Sequence, residues 1–131
     1  MNSTEKRDEV LLKIRPLIPS AKVSDKMSAA EKFQNSTLRP VIKLQHTMLL
    51  LAFRNYLQKH KVAYYSLNTE NRKKYIEKIF STDVNFRNQL GGMIIGQFTE
   101  QEYKDFHLQS DLRKRLINLI KQRILSQVHV L

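Results

Sequence analysis

The chain contains no cysteine among its 131 residues, which removes disulfides, thiolate metal sites and cysteine nucleophiles in one step and suits a reducing compartment. Glycine and proline are scarce, at three each, and no low-complexity tract or internal repeat is present. Short connections and no flexible linker are therefore expected. Long apolar runs are missing too. The longest, Met48 to Phe53, covers six residues, against the roughly 18 to 20 that a membrane-crossing helix needs, so no membrane span is expected. The opening residues Met1 to Glu9 are polar and carry charges of both signs, unlike the apolar centre of a signal peptide, and the expected location is the cytoplasm. In that setting Asn35-Ser36-Thr37 matches the glycosylation acceptor pattern by chance alone. No segment alternates apolar and polar residues for long enough to mark a strand.

What remains is a helical pattern. With 41% hydrophobic residues, a chain of this length can bury about two thirds of the surface its unfolded form exposes, enough for one core and a single domain over residues 1–131. Acidic residues are outnumbered: 23 Lys and Arg stand against 12 Asp and Glu, a formal net charge of +11. The excess is concentrated, with six bases and no acid from Lys32 to Thr69 and five bases and no acid from Leu112 to Leu131. Such stretches attract polyanions, because cations that neutralise phosphates release condensed counterions.

Val10, Leu11 and Ile14 recur at helical spacing, and Pro16 and Pro19 end that first helix. Residues 15–27 form an irregular connection, so residues 1–27 are expected to lie as a helix and proline-containing strap on the bundle. Ser28-Ala29-Ala30-Glu31 has the form of a capping box opening a short helix to about Asn35. From about Arg39 to Lys59, Lys43, Thr47, Arg54, Gln58 and Lys61 fall on one narrow stripe while apolar residues fill the remaining circumference. This helix is expected to run through the core, with Pro40 in its first turn and Asn55 on its apolar side. Caps at Asn68-Thr69, Thr82-Asp83, Thr99 with Glu102, and Ser110-Asp111 mark four further helices. Gly92 and Gly96, spaced by four, would let that helix approach a neighbour closely. The expected fold is all-α, a compact orthogonal or irregular bundle of about five to seven helices around the central apolar helix near residues 39–59.

Residues for chemistry are sparse. His46, His60, His107 and His129 sit on different segments with no partner at ligand spacing, so no metal ligand is assigned. Glu100, Glu102 and Asp105 are the densest acidic group, and carboxylates in the first turns of a helix are what its dipole favours. No serine elbow and no phosphate-cradling glycine loop occurs. No catalytic or cofactor-binding residue is assigned. The helix from Thr99, the turn at His107 to Gln109 and the basic helix from Ser110 have the order of a helix-turn-helix, which makes Arg113, Lys114, Arg115 and Lys121 candidate nucleic-acid contacts.

The stretch Phe33-Gln34-Asn35-Ser36-Thr37-Leu38-Arg39-Pro40-Val41-Ile42-Lys43-Leu44-Gln45, followed by Gly92-Met93-Ile94-Ile95-Gly96-Gln97-Phe98-Thr99 and Glu102-Tyr103, resembles a family of small bacterial proteins whose members often carry the automatic label glyoxalase. The resemblance spans nearly the whole chain and brings no established activity or functional residue. Glyoxalase I enzymes are built of βαβββ units with His and Glu metal ligands on strands, and glyoxalase II enzymes carry a Thr-His-x-His-x-Asp-His motif. Neither pattern is present, so lactoylglutathione chemistry is not expected. The favoured expectation is a non-enzymatic helical module that acts through protein contacts, with a protein partner or self-association. A nucleic-acid-binding module is the alternative, and an enzyme the third reading.

Overall fold

Helix after helix starts where the sequence supplies a cap. Asn2, Ser28, Asn68, Asp83 and Thr99 each accept, through a side-chain oxygen, the backbone amide hydrogen three residues on, satisfying one of the donors a helix start leaves free. In the computed structural model, which describes residues 2–131, these caps open α1 (Ser3–Ile14), α2 (29–44), α4 (Thr69–Thr82), α5 (Val84–Ile95) and α6 (Glu100–Leu108). Between α2 and α4 lie α3 (His46–Lys59) and a 3₁₀ turn at Tyr64–Ser66, and α7 (Leu112–Leu125) follows α6. The fold is an all-α bundle of seven helices, with no strand among the described residues. No helix among them is long and apolar enough to cross a membrane.

Around Pro40 the structure departs from the expectation. The helix capped by Ser28 does not stop near Asn35; α2 runs on through Ala29–Phe33, a π-helical turn Gln34–Leu38, and Arg39–Leu44. Proline has no amide hydrogen, and its ring crowds the carbonyl one turn back. The π turn absorbs this: the Arg39 amide bonds to the Gln34 carbonyl, five residues back instead of four. The helical path then breaks at Gln45 (φ −91°, ψ 10°), so residues 39–59 form two helices.

The second of these helices, α3, is covered on one side only. In α3 only Leu49, Leu50, Phe53 and Leu57 are buried, while Met48 is 51% exposed and Leu51 48%. Asn55 faces solvent and needs no buried partner. The most enclosed helix is α7, which touches α2, α3, α4, α5 and α6. Its Leu112, Leu116, Ile120 and Ile124 are completely buried, each contributing about 1.5–3 kcal/mol relative to exposure. Together with Leu38, Phe53, Tyr64, Ile76, Leu90 and Ile94 they belong to one continuous core cluster.

The N-terminal strap is attached differently. No residue of α1 is buried. Arg7 donates to the carbonyls of Phe98 (2.9 Å) and Gly96 (2.8 Å), and Asp8 accepts from the Glu100 amide (3.1 Å). Arg15, its side chain 7% exposed, makes a forked ion pair with Glu102 at 2.7 and 2.6 Å and also donates to the Gln97 carbonyl. Thr37 donates to the same carboxylate (2.9 Å), and Glu102 closes a full capping box with Thr99.

Candidate functional site

Where α4, α5 and α7 meet, their outer surfaces leave a cleft of about 530 Å³. One wall is a single stripe of α7: Arg113, Lys114, Ile117, Asn118 and Lys121 recur at three- and four-residue intervals. The opposite wall takes Glu77, Phe80 and Ser81 from α4 and Val84, Arg87 and Asn88 from α5. Gly91 lies at the contact of α5 with α7: a Cβ there would sit 3.5 Å from Ile117 Cδ1 and 3.6 Å from Arg113 Nη1, ordinary van der Waals separations. A Cβ on Gly92 would face open space and one on Gly96 would meet only the Gly92 carbonyl, so the expected close approach of a neighbouring helix at Gly92 and Gly96 does not occur.

The cleft has a cationic rim and an apolar floor. Four cations, Arg87, Arg113, Lys114 and Lys121, face the single carboxylate of Glu77. Lys121 is paired with it at 2.9 Å, and Arg113 donates to the Asn88 side-chain oxygen. Arg87 and Lys114 make no ion pair among the described residues. Between these cations lie Val84, Ile117 and Phe80, of which Val84 is 52% exposed and Phe80 only 4%.

Three of the four cations singled out from the sequence therefore converge. Arg115 does not, because one residue beyond Lys114 turns it about 100° around the helix. It bonds Asp111 (2.9 Å) and Gln34 (3.0 Å) on the side of α2. The helices α6 and α7 do follow one another across a short turn, but α7 is sunk among five neighbours and its basic stripe lines a concavity. A recognition helix must protrude to enter a major groove. Arg87, Glu77 and Val84 were missed by sequence reasoning. Val84 and Arg87, three residues apart, share one face of α5 and Glu77 lies on α4, but nothing local says that these faces look across at α7.

Elsewhere two clusters of titratable groups are committed to structure. Burial alone would raise the Glu102 carboxyl; hydrogen bonds from Arg15 and the Thr99 amide, the Arg15 charge and the Thr37 hydroxyl outweigh it and hold the group below its ordinary range. In a second cleft, of about 220 Å³ between α3 and α5, Tyr56 donates to Asp83 (2.7 Å) and stacks on His60 at 4.1 Å between ring centroids. Burial, then the hydrogen bond to Asp83 and its charge, push the Tyr56 hydroxyl well up. The Phe86 amide and the Tyr56 hydroxyl hold Asp83 down. Both shifts favour a protonated phenol beside a charged carboxylate. No group of three or more His, Asp and Glu side chains is gathered at metal-binding distance among the described residues.

No family model, curated protein or solved structure matches the chain. The two stretches that carry the resemblance noted above nevertheless form one structural unit. Phe33 packs edge-on against Phe98 at 5.7 Å, Gln45 donates to the Met93 carbonyl (3.0 Å), and Thr37 meets Glu102.

Proposed function

We propose that this protein is a non-enzymatic interaction module that binds a partner protein through the cleft of α4, α5 and α7. The observation that supports the reading is the pairing of an apolar floor with a rim on which four cations face one carboxylate. Apolar floors desolvate side chains, while the cations select acidic partners and speed encounter. A nucleic-acid module is the second reading, favoured by the charge of +11 and by the convergence of Arg113, Lys114 and Lys121. The concave setting of α7 weighs against a duplex. Phe80, the only aromatic residue lining the cleft, offers almost no ring surface for base stacking. A thiol-free basic chain of this kind would act in the cytoplasm.

The test compares labelled poly-L-glutamate with generic DNA and RNA, by fluorescence anisotropy at about 50 and about 200 mM salt. The reading expects poly-L-glutamate to bind at low salt and the combined Arg87→Glu and Lys114→Glu variant to lose that binding. Nucleic acid binding more tightly by about tenfold or more, and lost in the same variant, would replace it with the second reading.

A further inference from the structure

We infer that the cleft takes the face of an acidic amphipathic α-helix supplied by the partner protein. The inference rests on the protein-binding reading above and specifies the shape and chemistry of the ligand. Three observations carry it. First, every wall of the cleft is helical, so the interior backbone groups are spent within those helices and no sheet edge is available to pair with an extended strand. An extended segment lying on Val84 and Ile117 would leave part of its own backbone unsatisfied. A helix satisfies its backbone internally and presents only side chains.

Second, the charge is arranged lengthwise. On α7 the cations occur at Arg113 and Lys114 and again at Lys121, a separation of about 10–12 Å at the rise of an α-helix. Two carboxylates two turns apart on an incoming helix match that interval. A residue midway between them, on the same face, meets Ile117 and the half-exposed Val84. Third, the cations differ in readiness. Arg113 and Lys121 are steadied by Asn88 and Glu77, whereas Arg87 and Lys114 make no ion pair among the described residues. The latter two are the side chains that gain carboxylate partners on binding.

The experiment uses the full chain and a fluorescein-labelled peptide of about 18 residues, long enough to hold helix in an Ala-rich background. Its Leu residues lie at three- and four-residue spacing, with Glu seven residues apart on either side. The controls are a scramble of the same composition and oligo-dT, all at about 150 mM salt. The patterned peptide should bind at least about tenfold more tightly than the scramble. Lys114→Glu and Val84→Asp should each weaken it by about tenfold or more. Lys26→Glu on the exposed strap should leave binding unchanged, and circular dichroism checks that each variant is folded.

Equal binding of patterned and scrambled peptides overturns the helix while leaving the protein-binding reading in place. Tighter binding of oligo-dT at the same residues overturns both. A dimer of the chain in sedimentation, dissociated by Val84→Asp, would show that the occupant is a second copy. Failure of patterned peptide, scramble and poly-L-glutamate together removes the protein-binding reading and the inference with it.

Discussion

Replacing Arg15 by Ala should free the N-terminal strap without unfolding the bundle. Because α1 buries no side chain, its attachment depends on polar tethers, and the least exposed of these is the Arg15 fork on Glu102 with its third bond to the Gln97 carbonyl. Removing one member of a buried ion pair costs about 3–5 kcal/mol when the other remains trapped and uncompensated. Glu102 is not trapped in that way, since Thr37 and the Thr99 amide still donate to it, and undocking of the strap admits water. A loss of about 2–3 kcal/mol in the free energy of local opening follows, which is an acceleration of about 30- to 160-fold for exchange of the α1 amides. Hydrogen exchange read by mass spectrometry should show that rise in peptides from residues 3–14, with α7 as protected as before. Unchanged α1 exchange would mean that the fork does not hold the strap. An equal rise in α7 would mean that the strap is part of the cooperative core. Either result refutes the reasoning.

Other outcomes follow from single sites. The hydroxyl of Tyr64 is buried without a hydrogen-bond partner, so Tyr64→Phe should raise stability by about 1 kcal/mol in urea unfolding, through removal of an unsatisfied group. Gly92 faces open space in the middle of α5, and Gly92→Ala should stabilise by about 0.5–1 kcal/mol from helix propensity. Gly96→Ala should show no such gain, because its Cβ would lie 3.1 Å from the Gly92 carbonyl oxygen; thermal melts compare the two. Glu102 and Asp83 are both held below the ordinary carboxylate range. The unfolded chain takes up those protons first, so their stabilisation is complete above the ordinary range and fades as pH falls through the lower folded values. Urea midpoints measured from neutral to acid pH should therefore fall, and fall less steeply in Glu102→Gln, whose own starting stability is lower.

Most local chemistry was readable from the sequence, although the cap expected at Ser110-Asp111 forms no side-chain bond to the start of α7, Asp111 pairing with Arg115 instead; long-range chemistry was not. Ser28, Asn68, Asp83 and Thr99 act as caps because a cap and its target amide lie three residues apart, within reach of pattern reasoning. The Thr99 and Glu102 box is complete for the same reason. Arg15 and Glu102 are 87 positions apart, and no periodicity links them. Pro40 misled because proline usually marks a helix start, whereas here a π turn carries the helix past it. The next helix is covered on one side, by α2, α5 and α7, which leaves Met48 and Leu51 half exposed. For the candidate site, the basic stripe of α7 was visible as Arg113, Lys114 and Lys121. Arg87 and the apolar floor depended on how α4 and α5 dock, information that a helical wheel lacks.

The position of α7 also bears on how the chain acquires its structure. The five helices it touches all precede it in sequence, and its four fully buried residues sit among their side chains. Until Leu112–Leu125 has left the ribosome, the surfaces that receive Leu112, Leu116, Ile120 and Ile124 stay uncovered. Helical turns and local pairings can form early, but the contacts that tie five helices to a common partner form last. Truncation before Leu112 should therefore yield an unfolded or aggregating chain.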